Sequence, residues 1–92
     1  MKVNLYATYH VLSGVRTFDL DLPPGATLRQ AVNAILLRYP TLKEHWLSQS
    51  GDPHSFLLIF VNGHELSTLD AQLNTPLYPL DTLDVLPPVA GG

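Results

Sequence analysis

Ninety-two residues, 46% of them apolar and only 14% charged, give room for one small domain with a core of its own and little for a second. The net charge is −3, and the five basic residues (Lys2, Arg16, Arg29, Arg38 and Lys43) form no cluster, which argues against direct nucleic-acid binding. The absence of cysteine excludes disulfides and thiol chemistry; with no apolar run of about 18 residues and no signal-peptide pattern, no membrane contact and a cytoplasmic location are expected.

In chain order, Val3, Leu5, Ala7 and Tyr9 alternate with Asn4, Tyr6 and Thr8, which predicts a half-buried first strand. After a turn at "LSGV", Phe18, Leu20 and Leu22 alternate with Thr17, Asp19 and Asp21, predicting a second strand with a polar face. So short a connection predicts an antiparallel hairpin. "PPGATLRQ" then stops the strand and starts a helix, with Thr27 as N-cap and Gln30 three residues on in the capping-box pattern. Leu28, Ala31, Val32, Ile35, Leu36 and Tyr39 form one apolar stripe at helical period, to be laid against a sheet. Pro40 ends it, because the residue before a proline is pushed out of the helical region.

"TLKEHWL" repeats the cap signal at Thr41 and Glu44 and predicts one or two further turns, with Trp46 and Tyr39 closing the end of the helix against the core. "SQSGDPHS" reads as a loop. Phe56 to Val61 is a continuous apolar run, predicting a central strand covered on both faces. Asn62-Gly63 is a hairpin signal leading to a short strand near His64 to Leu66. After a proline-punctuated stretch, Thr82 to Leu86 predicts the last strand. The order β-β-α-β-β-β predicts an α+β fold: a ubiquitin-like β-grasp, with a mixed five-stranded sheet and one main helix across one face. The predicted domain runs from 1 to 86, and an extended, flexible tail from 87 to 92.

Conventional chemistry is thinly represented. The four histidines, at 10, 45, 54 and 64, are spaced 35, 9 and 10 apart, which puts no two on adjacent turns of a helix, and no metal site is expected. Asp19 and Asp21 share a strand face and read as a solvated surface, since a catalytic acid needs a desolvated pocket. No serine stands in a G-x-S-x-G context, and neither a P-loop nor a G-x-G-x-x-G occurs. By itself the domain is expected to have no catalytic site.

The tail "PPVAGG" remains. Pro87 and Pro88 favour an extended path away from the fold, and the six residues reach roughly 20 Å at about 3.4 Å each. Gly91 and Gly92 have no Cβ, so a partner could bring its own backbone and a nucleotide phosphate against the last carbonyl. The tip is a carboxylate on an unhindered stalk. Leu86, apolar on the polar parity of the last strand and next to the stalk, is a candidate docking residue.

"DTLDVLPPVAGG", with "KVNLYATYHVLSG" and "IFVNGHEL" upstream, resembles the MoaD/ThiS family of ubiquitin-like sulfur carriers over nearly the full length, most specifically in the last dozen residues. The "PPVxGG" ending is most similar to the branch that forms the small subunit of molybdopterin synthase. The resemblance implies that the carboxylate of Gly92 is activated by an E1-like adenylating enzyme using ATP and Mg²⁺, and converted to a thiocarboxylate with sulfur from a donor. The tail then enters the large synthase subunit and gives its sulfur to precursor Z, in a heterotetramer with one carrier at each end. Gly91 is then the threading residue, Val89 and Ala90 line the tunnel, Pro87 and Pro88 direct the exit, and Leu86 docks. The domain itself binds no cofactor in this reading. The stretch "PTLKEHWLSQSGDPHSF" is longer than in the shortest members, as in carriers serving cysteine synthesis or tRNA thiolation. Alternatives are therefore a carrier for thiamine thiazole, cysteine or tRNA thiolation, or a ubiquitin-like modifier or interaction domain.

Overall fold

The computed structural model describes residues 1–54, 57–66 and 70–88. Five strands form one sheet in the order β2-β1-β5-β3-β4. These are β1 (Lys2–Leu5), β2 (Thr17–Asp19), β3 (Leu58–Val61), β4 (His64–Leu66) and β5 (Thr82–Leu86). The first and last strands lie side by side and parallel at the middle of the sheet, and every other pairing is antiparallel. The architecture is the mixed five-stranded β-grasp expected.

The first strand is shorter than its alternation predicts. It ends at Leu5, and the chain turns through Ala7 (φ 51, ψ −126) into a six-residue helix, α1 (Thr8–Ser13). Tyr9 is buried and Leu12 packs against the core, a spacing of three that suits a helix. Over four or five residues, period 2 and period 3.6 share too many positions to be told apart, and the burial of Tyr9 against Trp46 decides for the helix. Their rings meet edge-on at 5.4 Å. Gly14 (φ 79) caps α1, its N–H donating to the His10 carbonyl at 3.0 Å. The two first strands do pair antiparallel, across a helix rather than a tight turn.

β2 ends at Asp19, yet Leu20 still exchanges bonds with Met1: its N–H donates to the Met1 carbonyl at 2.7 Å, and the terminal amine donates back at 3.1 Å. Phe18 and Leu20 are buried while Thr17, Asp19 and Asp21 are exposed, so the predicted polar face holds.

The long helix, α2 (Leu28–Arg38), starts with the predicted capping box. The Gln30 N–H donates to Thr27 Oγ1 at 3.2 Å, and the Thr27 N–H donates to Gln30 Oε1 at 2.8 Å, satisfying two orphan amides. Leu28, Ala31, Val32, Ile35 and Leu36 are buried against the sheet, the larger ones contributing about 1.5–3 kcal/mol each. Beyond Pro40, a 3₁₀ turn (Pro40–Leu42) runs into α3 (Lys43–Trp46). Thr41 does not cap it: its hydroxyl donates to the Leu12 carbonyl at 2.9 Å and ties the turn to α1. Trp46 is fully buried, and its indole Nε1 has no hydrogen-bond partner.

A further helix, α4 (Asp70–Leu73), stands in the proline-punctuated stretch, and Leu73 and Leu77 are buried beside α2. The Asn62-Gly63 turn forms with both residues at positive φ (52 and 83), as a type I′ hairpin requires. Among the described residues no helix is long and apolar enough to cross a membrane.

β3 is the main correction. Its apolar run predicts cover on both faces, but only the Ile59 side, with Val61, packs on the core; Leu58 and Phe60 stand half-buried on the other face. Ile59 is fully buried. The physical reason is material: the long helix covers one side of the sheet, leaving the second apolar parity of the run on the open side. Phe56 lies outside the described residues.

Candidate functional site

β5 lies between β1 and β3 and carries the chain to the tail. Leu83 and Val85 are fully buried under α2, so strand alternation puts Thr82, Asp84 and Leu86 on the open face. The registers extend this face sideways. Asn4 is the partner of Asp84 on β1, Phe60 its partner on β3, and Glu65 stands opposite Phe60 on β4. Two residues nearer the tail, Leu86 is opposite Leu58. Tyr6 continues the parallel ladder past the end of β1, its N–H donating to the Val85 carbonyl at 3.3 Å, which brings it beside Leu86.

The open face at its tail end is therefore Tyr6, Leu58, Phe60 and Leu86 around one carboxylate, Asp84. Asp84 Oδ1 accepts from Asn4 Nδ2 at 2.8 Å and from the Tyr6 hydroxyl at 3.2 Å. The Tyr6 phenol is pushed above its ordinary value by burial first, then by the charge of Asp84 and by their hydrogen bond. At the opposite end of β5, Asn62 holds the strand start: its amide donates to Asp81 Oδ1 at 2.8 Å and its carbonyl accepts from the Thr82 N–H at 2.9 Å. The strand that aims the tail is thus anchored at its origin.

Leu86 is half-buried and Pro87 half-buried, while Pro88 is exposed, all directly beyond or at the end of β5. Val89, Ala90, Gly91 and Gly92 lie outside the described residues. The structure sets Leu86 beside Leu58, Phe60 and Tyr6, which sequence reading did not single out. The signal for them was available: with a single long helix in the chain, only one apolar parity of the β3 run can be covered by helix. Among the described residues no group of three or more His, Asp or Glu side chains stands ready to hold a metal ion. The histidines sit on separate elements, His10 on α1, His45 on α3, His54 in a loop and His64 on β4.

A β-grasp sheet with one covered face, one half-apolar open face and a central last strand running into "PPVAGG" defines a ubiquitin-like carrier or modifier. The ThiS family model matches residues 3–92, and the chain belongs to the ThiS family, among the MoaD/ThiS ubiquitin-like sulfur carriers. It is 28% identical to the molybdopterin synthase sulfur carrier subunit of Arabidopsis thaliana over 92 residues, spanning all of this chain and 82% of that one. It is 27% identical to small archaeal modifier protein 1 of Haloferax volcanii, spanning all of both chains. The crystal structure of SAMP1 from Haloferax volcanii superposes with a TM-score of 0.88 at 25% identity, covering 99% of this chain and 97% of that one.

Proposed function

We propose that the chain is a sulfur carrier whose Gly92 carboxylate is adenylated and then converted to a thiocarboxylate, and that it serves as the small subunit of molybdopterin synthase. The observation that carries this reading is that the central strand ends at Leu86 on the half-apolar open face and leads directly into Pro87 and Pro88, the first residues of "PPVAGG". The family membership and the similarity to the Arabidopsis subunit support it.

In the first step a carboxylate oxygen of Gly92 attacks the α-phosphorus of ATP held with Mg²⁺ by an E1-like enzyme, and pyrophosphate leaves. The mixed anhydride is electrophilic at the glycine carbonyl. A sulfide equivalent from the sulfur donor adds there, AMP leaves, and the C-terminus is a thiocarboxylate. In the second step the tail enters the large subunit, with Gly91 threading, Val89 and Ala90 along the tunnel, and Pro87 and Pro88 setting the exit. The sulfur passes to precursor Z and water restores the carboxylate. Two such rounds supply the two dithiolene sulfurs, in a heterotetramer with one carrier at each end. The carrier supplies reach, recognition and the reacting atom, and its partners supply the catalysis.

A second reading is favoured by the similarity to small archaeal modifier protein 1: attack on the same adenylate-derived carbonyl by a lysine amine would give an isopeptide. An intact-mass spectrum after incubation with ATP, sulfide and the adenylating enzyme of the same genome separates these. Replacement of one oxygen by sulfur, confined to the C-terminal peptide and lost on deletion of Gly91 and Gly92, is the expected result. Full sulfur loading of the truncated chain would refute the proposal, and ATP-dependent adducts on protein lysines without thiocarboxylate would favour the modifier.

A further inference from the structure

The proposed docking face contains one feature that apolar contact does not account for. Asp84 stands in the middle of it, with Tyr6, Leu86, Leu58 and Phe60 around it; Lys2, opposite Thr82 on the same face, lies farther from the tail and forms no ion pair with Asp84. A carboxylate set in an apolar interface loses water on docking and must be given a partner, or it opposes association. Both intramolecular donors, Asn4 Nδ2 and the Tyr6 hydroxyl, go to Oδ1, and the second oxygen, Oδ2, accepts from neither. Glu65, opposite Phe60 on β4, adds a second negative charge at the flank.

The surroundings favour one kind of cation. Asp84 has an aromatic residue on either side: Tyr6, bonded to it, and Phe60, its register partner. A guanidinium can bond a carboxylate and lie on an aromatic face at once, because it is planar and weakly hydrated; an ammonium is a compact, strongly hydrated point charge. A related combination, with a backbone carbonyl in place of the carboxylate, occurs elsewhere in the chain. Arg38 lies 4.9 Å from the centroid of Phe18 and 5.6 Å from that of Tyr39, with Nη1 donating to the Asp19 carbonyl at 2.8 Å.

We infer that Asp84, flanked by Tyr6 and Phe60, is the specificity determinant of the tail-side face, reading an arginine set among apolar residues on the adenylating enzyme. The inference rests on the proposed function and adds a polar requirement to its docking surface. It makes recognition two-part: apolar contact at Leu86 and Leu58 supplies adhesion, and Asp84 rejects partners that offer an apolar or acidic surface at that point.

The test is the affinity of the full chain for the adenylating enzyme of the same genome, titrated without ATP at two salt concentrations. Asp84→Asn keeps an oxygen for Asn4 and Tyr6 and replaces Oδ2 with a donor, so the fold is left standing; the fluorescence of the sole tryptophan, buried Trp46, verifies this. Asp19→Asn, on the same sheet face at the β2 edge, makes the same charge change away from the tail. Asp84→Asn is expected to weaken binding about tenfold or more and to flatten its salt dependence, with Asp19→Asn close to wild type. Equal affinities for wild type and Asp84→Asn, equal losses in both variants, or no binding by the wild type would each overturn the inference. Normal sulfur loading alongside any of these results would leave the proposed function standing, whereas absent loading would remove that reading separately.

Discussion

Replacing Ala7 by glycine should stabilise the domain, which is unusual for a mutation to glycine. Ala7 has φ 51 and ψ −126, and the Tyr9 N–H donates to the Tyr6 carbonyl at 3.0 Å. Tyr6 to Tyr9 is thus a turn of type II′ geometry with Ala7 at its second position, where glycine dominates because a Cβ is crowded there. A non-glycine residue held in so sparsely populated a region costs on the order of 1–3 kcal/mol. Glycine removes that cost and gives back about 0.5–1 kcal/mol through the greater freedom of the unfolded chain. The net gain is about 0.5–2 kcal/mol, a rise in Tm of several degrees at roughly 4–8 °C per kcal/mol for a domain of this size. Urea and thermal unfolding followed through Trp46 measure it directly. A midpoint at or below wild type would show that the backbone at Ala7 is not strained and would refute the argument. The position matters to function as well, because this turn sets Tyr6 beside Asp84 and Leu86. A stabilised turn should leave docking intact or improve it.

Two other perturbations probe the open face. Leu86→Asp should weaken association with the adenylating enzyme by at least tenfold. Because Leu86 is only half-buried in the free chain, unfolding free energy should fall by about 1 kcal/mol or less, as Trp46 fluorescence will report; unchanged association would take Leu86 out of the docking surface. The raised phenol of Tyr6 has a folded-state pKa above its unfolded value of 10.0, so its contribution to stability is complete below that pH and is lost as pH rises through the folded value. Ultraviolet titration of Asp84→Asn should show the part of that shift due to Asp84 removed and the part due to burial retained; a Tyr6 unaffected by Asp84→Asn would contradict the bond between them.

Much of the fold could be read from local pattern because those elements are specified locally. The capping box of Thr27 and Gln30, the stripe from Leu28 to Leu36 and the turn at Asn62-Gly63 each satisfy their own backbone and bury a face at one period. The expectation for the tail rests likewise on local properties, proline stiffness and glycine access, which belong to the residues themselves. Short elements were not. Thr8–Ser13 and Asp70–Leu73 are too brief to be stable alone, and they are helices because Tyr9, Leu12 and Leu73 find the core.

The site divides in the same way. Leu86 and its parity were apparent from alternation along a single strand. That Tyr6, Asp84, Phe60 and Leu58 form one surface was decided only by tertiary structure, because it depends on the parallel pairing of β1 with β5 and the register of β5 with β3. Residues about eighty positions apart, such as Asn4 and Asp84, share a hydrogen bond that no local pattern encodes. The sequence by itself determined which helix would cover the sheet. Only the assembled sheet decided which apolar residues were left without that cover, because the long helix packs on a single face.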